Sequence, residues 1–125
     1  MNDEPRGQLA LQTIAMPADT NANGDIFGGW LMAQMDLGSS VLARARAAGR
    51  VATIAVEAMT FYKPVRVGDL VSIYGEITRE GTTSMTVHTE VWVTRLLPEH
   101  ETLQVTKADF VFVAVDEHGQ KRILP

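Results

Sequence analysis

Only one stretch of this chain can make a long helix, and nothing after it can make another. From Trp30-Leu31-Met32-Ala33-Gln34-Met35 through Val41-Leu42-Ala43 to Ala48, the residues are mostly Ala, Leu, Met and Arg, which are good helix formers. Gly49 is a natural stop, and Arg44, Arg46 and Arg50 suit the negative end of the helix dipole. Before the helix, Leu9–Met16 reads as a strand that Pro17 ends. Behind it, Val51–Tyr62, Leu70–Thr78, Ser84–Arg95 and Leu103–Val115 are β-branched or alternate polar with apolar. Turn residues separate these strands, most clearly Val67-Gly68-Asp69 and Glu80-Gly81-Thr82-Thr83.

With no helix between the later strands, parallel crossovers are not expected and the sheet should be antiparallel. The expected fold is α+β, a curled antiparallel sheet wrapped around one central helix. A helix this apolar on all sides should be buried more deeply than a surface helix. The chain of 125 residues has room for a single core. We therefore expect one domain, 1–125, with residues 1–8 a flexible, polar N-terminus lacking the apolar core of a signal peptide.

Composition narrows the chemistry. A formal charge of -4 argues against a nucleic-acid binder, and no apolar run is long enough for a membrane span. Absence of cysteine removes thiol nucleophiles and thiolate metal sites. The three histidines, His88, His100 and His118, lack metal-ligand spacing. Neither metal nor cofactor is expected, and the expected location is the cytoplasm.

Three features remain as candidate chemistry. Asp36 is the only charged residue between Asp25 and Arg44, and a carboxylate there is costly unless paired. It is either a structural acid or a partly desolvated base or nucleophile. Gly28-Gly29 at the helix start leaves backbone amides free and lets a ligand come close to the main chain; alternatively the glycines only allow tight packing under Trp30. In the turn cluster Asp19–Asp25, one of Asn21 and Asn23 should close an Asx-turn, leaving the other to address a water or a carbonyl. Glu57 interrupts an apolar strand and reads as a structural partner or an interface residue. Lys63 and Arg66, flanking Pro64, are either phosphate contacts or ordinary surface cations.

The run Met16–Asp36, MPADTNANGDIFGGWLMAQMD, closely resembles the signature of the YciA-type acyl-CoA thioesterases of the hotdog superfamily. Val56–Phe61, Pro64–Asp69, Glu90–Val93 and Phe110–Asp116 match as well, so the resemblance covers nearly the whole chain. It implies a hotdog domain that pairs as a homodimer, often further assembled as a trimer of dimers, with each site shared by two subunits. It also implies that Asp36 is the base or nucleophile in thioester hydrolysis. Asn21, or in second place Asn23, positions the water or carbonyl from the opposite subunit, and the Gly29 amide receives the oxyanion beside Gly28. The CoA part of the substrate requires phosphate contacts, for which Lys63, Arg66 and Arg79 are candidates. The small-residue hairpin Gly81, Thr82 and Ser84 is a candidate for pantetheine or phosphates. Met32, Met35, Met59 and Phe61 line an acyl pocket of broad chain-length range or are plain core.

Two other readings stand beside hydrolysis. A non-catalytic acyl-CoA-binding module would keep the CoA groove without needing an acid at position 36. A hydratase on the same fold would need an acid–base pair, commonly with histidine, and none lies near the signature loop or helix.

Overall fold

The computed structural model describes residues 4–96, 98 and 100–125. Five strands and one long helix follow the expected order: β1 (Gln8–Ile14), α1 (Gly28–Ala47), β2 (Val51–Phe61), β3 (Leu70–Glu80), β4 (Ser84–Arg95) and β5 (Glu101–Ala114). A single 3-10 turn, Pro17–Asp19, joins β1 to the signature loop. The sheet runs β1-β3-β4-β5-β2, with every pair antiparallel. Strand β2 therefore forms one edge, although it follows the helix directly in sequence.

The core lies between α1 and the inner sheet face. Leu31, Met35, Ser39, Ala43 and Ala47, spaced by four, are buried with Ile73, Val87, Val91, Phe110 and Phe112, which is the stripe expected of a helix lying on a sheet. Helix and sheet come close at Gly38, where a Cβ would stand 2.8 Å from Ile73 Cγ2. Beside it, the buried Ser39 and Thr89 hydroxyls hydrogen-bond at 2.6 Å. Arg95 Nε donates to both oxygens of the buried Asp69 at 3.1 Å, and Arg95 Nη2 donates to the Pro64 carbonyl at 2.9 Å. These bonds pin the loop that leads from β2 into β3.

Two expectations need adjustment. Helix α1 is not buried on all sides: Met32, Leu37 and Val41 are 40–55% exposed, because one sheet covers only one face of a helix. Of residues 1–8, Met1–Asp3 lie outside the described residues, while the end of the segment is tied to the sheet. The Arg6 amide donates to Glu90 at 3.3 Å, and Gln8 pairs with Gly75. No described helix is long and apolar enough to cross a membrane.

Candidate active site

Residues Asp19–Phe27 form a closed loop. The amides of Asn23 and Asp25 donate to Asn21 Oδ1 at 2.9 and 3.2 Å, the Asn21 amide donates to the Asp25 carbonyl at 2.7 Å, and the Phe27 amide donates to the Asp19 carbonyl at 2.8 Å. Asn21 is thus the Asx-turn residue. The turn uses only its side-chain oxygen, so the Asn21 NH₂ group has a fixed direction and no acceptor among the described residues. Asn23 is exposed on the same loop.

The loop delivers the chain into α1 with Phe27 as N-cap and no side-chain cap. The Trp30 and Leu31 amides donate to the Phe27 carbonyl. Those of Gly28 and Gly29 have no acceptor among the described residues, as expected of the first helical amides. The space above the glycines is bordered by Phe27 and Phe61, not Trp30. A Cβ on Gly29 would stand 2.7 Å from Phe27 Cε1.

One helix face then carries Gly29, Met32, Ala33 and Asp36. With Thr53 and Val56 of β2 and Phe110 of β5, it lines a cleft of about 310 Å³. The Thr53 hydroxyl donates to Asp36 Oδ1 at 2.7 Å. The half-buried carboxylate is thus held at one oxygen while the other is free to act on a bound molecule. Thr53 went unremarked in the sequence because a threonine in a β-branched strand has no distinguishing mark.

The remaining candidates fall into separate places. Gly28, Phe61 and Lys63 line a second cleft of about 250 Å³ on the other flank of the helix start. Arg66 borders a third, of about 330 Å³, with Asp69 and Arg95. Arg79 is exposed, and Gly81, Thr82 and Ser84 form the β3–β4 hairpin. That hairpin sits at the opposite end of α1, where Arg46 of the last turn pairs with Glu80 at 2.7 Å and Leu124 N donates to the Thr82 carbonyl. Of the apolar candidates, Met32 lines the Asp36 cleft, Met35 is fully buried core and Met59 packs against that core. In a cavity of about 500 Å³ between Leu42, Ala45 and Gly75, the lining carboxylate Glu76 is paired with Arg6 and the lining Arg46 with Glu80.

A carboxylate held by a threonine and sharing an apolar cleft with Gly29, whose helix-start amide has no acceptor among the described residues, is an arrangement suited to acyl transfer. Residues 23–95 match the family model described as "Thioesterase superfamily". The acyl-CoA thioester hydrolase YciA of Salmonella typhimurium is 53% identical over 127 aligned positions, spanning 100% of this chain and 96% of the relative. A solved hexameric broad-specificity acyl-coenzyme A thioesterase superposes with a TM-score of 0.93 at 52% identity, over 98% of this chain and 84% of that one. The acyl-CoA hydrolase of Staphylococcus aureus, solved in complex with butyryl coenzyme A and coenzyme A, superposes at 0.83 with 27% identity, over 92% and 70%. The chain belongs to the thioesterase superfamily, on the hotdog fold. Within it, the full-length similarity places the chain among the YciA-type acyl-CoA thioester hydrolases.

Proposed function

We propose that the chain hydrolyses acyl-CoA thioesters to a carboxylic acid and free CoA, over a broad range of chain lengths, with Asp36 as general base. The observation that carries the reading is the Asp36–Thr53 pair facing Gly29 on one apolar cleft. Asp36 lies seven residues beyond Gly29, about 10 Å of helix rise, and helical side chains lean back toward the N-terminus. A thioester whose carbonyl oxygen accepts from the Gly29 amide therefore turns its carbon toward Asp36, with room for one water between. Thr53 occupies Oδ1, so Oδ2 takes the proton as the water oxygen attacks. The oxyanion accepts from Gly29 N–H. It then collapses with loss of the C–S bond, and Asp36 returns its proton to the departing CoA thiolate. The route calls for neither metal nor cofactor.

The site is completed by a second copy of the chain. Asn21 lines neither cleft beside the helix start, yet its amide is fixed and free. Edge strand β2 exposes Ile54 and Val56, and the adjoining helix flank exposes Met32, Leu37 and Val41. Covering this apolar edge with a partner's β2 brings the partner's Asn21, or failing it Asn23, to the cleft. The hexameric relative supports further assembly as a trimer of dimers. Lys63 and Arg66, near the helix start, are assigned to the CoA phosphates. Arg79, Gly81, Thr82 and Ser84 lie a whole helix length away, about 30 Å, so they serve only a CoA held at another subunit's cleft. We infer a cytoplasmic location, a reading that an acyl-CoA substrate supports.

The test is release of free thiol from acyl-CoAs of several chain lengths, with Asp36→Asn assayed beside the wild type. The variant should lose about 10²–10⁴-fold in turnover while still binding CoA. Tight acyl-CoA binding without thiol release by the wild type would make the chain a binding module and Asp36 a structural acid.

A further inference from the structure

Strand β2 is not a regular strand, and its irregularity decides what lines the cleft. Thr53 opposes Phe112 of β5 and Val56 opposes Phe110, both on the buried inner face. Between them Ile54 and Ala55 together oppose Val111, a first bulge. A second follows where Ala58 and Met59 oppose Ala108, with Ala58 in the left-handed region at φ 52. Inward residues on β2 are consequently Val51, Thr53, Val56, Met59 and Phe61, in place of a simple alternation. Strict period-two alternation from Thr53 would turn Ala55 and Glu57 toward the helix. The first bulge instead sends Glu57 to the outer face opposite Asp109 and brings Val56 to the cleft. The second restores the phase, so that Met59 packs on the core and Phe61 reaches Gly28.

We propose that the first bulge makes the cleft beside Asp36 an acyl-chain subsite, walled by Met32, Ala33, Val56 and Phe110, with Val56 the residue that sets selectivity for apolar chains. The inference rests on the thioesterase reading and adds to it where the acyl chain lies. Apart from Asp36 and the Thr53 hydroxyl bonded to it, the lining side chains are apolar. In a regular strand Ala55 would oppose Phe110 and Glu57 would oppose Ala108, where Met59 now packs, so the bulge lines the cleft with the larger Val56 and keeps a carboxylate off the adjoining inner face. At about 310 Å³ the cleft is at the small end of ligand pockets. Each methylene it removes from water is worth about fourfold in binding.

The experiment is the ratio of kcat/KM for octanoyl-CoA over acetyl-CoA, with wild-type thiol release established first. Absence of that release defeats the thioesterase reading itself and is a separate result. In Val56→Glu the ratio should fall at least about tenfold, since a charge in the chain subsite cancels several methylenes' worth of burial. In the milder Val56→Ala, which keeps the subsite apolar but removes part of its wall, the ratio should fall about fourfold, the worth of one methylene's burial. Glu57→Gln, on the outer face, should leave it where it is. An unchanged ratio in both Val56 variants, or an equal shift in Glu57→Gln, would overturn the assignment.

Discussion

Thr53 and Asp36 meet across a gap that no local pattern reveals, one on an edge strand and the other on the helix beneath it. Asp36 stood out in the sequence because it is a lone charge in an apolar helix, and Gly28-Gly29 because of their place at its start. Thr53 did not, because a threonine in a β-branched strand has no distinguishing mark; nor did Val56, which turns to the cleft only through a bulge at Ile54 and Ala55, and a bulge leaves no compositional mark when neither residue is glycine. Asn21 was half legible: the Asx-turn was expected of one of the two asparagines, but not that the turn residue would keep its amide free. At this scale the prediction concerns Thr53 as a positioning residue. Thr53→Val should lower kcat about tenfold, the worth of one hydrogen bond of about 1.4 kcal/mol, with little change in KM. Thr53→Ser, which keeps the hydroxyl, should restore it. A rise in KM at unchanged kcat would show that the threonine binds substrate and does not orient the base.

Among the elements, the helix and the four later strands were legible because periodicity and turn chemistry agree there. What could not be read was which elements would touch. Strand β2 is next to the helix in sequence but pairs with β5, the last strand, and this non-local pairing puts Val56 over Asp36. Alternation along β4 puts His88 and Glu90 together on its polar, outer face. Glu90 is 1% exposed there and accepts from Trp92 Nε1 at 2.9 Å, from His88 Nε2 at 2.7 Å and from the Arg6 amide. Burial alone would push this carboxyl up; the bonds from His88, Trp92 and Arg6 outweigh that and hold it below the ordinary carboxylate value. Because its folded value is depressed, the stabilisation is present at neutral pH and is lost as pH falls through the folded value. Glu90→Gln should therefore be less stable at neutral pH, by about 1–3 kcal/mol. Its melting temperature should also fall less steeply than the wild type's on acidification. Parallel slopes in thermal unfolding from pH 7 downward would show that Glu90 contributes nothing to acid sensitivity.

For the whole molecule, one chain leaves the fold unfinished. The sheet covers one face of α1, and the apolar residues of the other flank, with those of the β2 edge, stay in contact with water. The same edge borders the cleft that holds Asp36, so closing the apolar surface and completing the site are one event in the proposed dimer. The expectation of a helix buried more deeply than a surface helix was thus drawn from a sequence that suits an assembly, whereas a single chain meets it only in part. The most direct test of the shared site is complementation. Asn21→Ala and Asp36→Ala chains, each inactive alone, are unfolded together, refolded as a mixture and assayed for thiol release. Random pairing makes half the dimers mixed, and each of these has one site with both residues intact, so activity should return to about a quarter of wild type. A mixture as inactive as its components, with mixed dimers confirmed by mass, would contradict the account and place both residues in a site made by one chain.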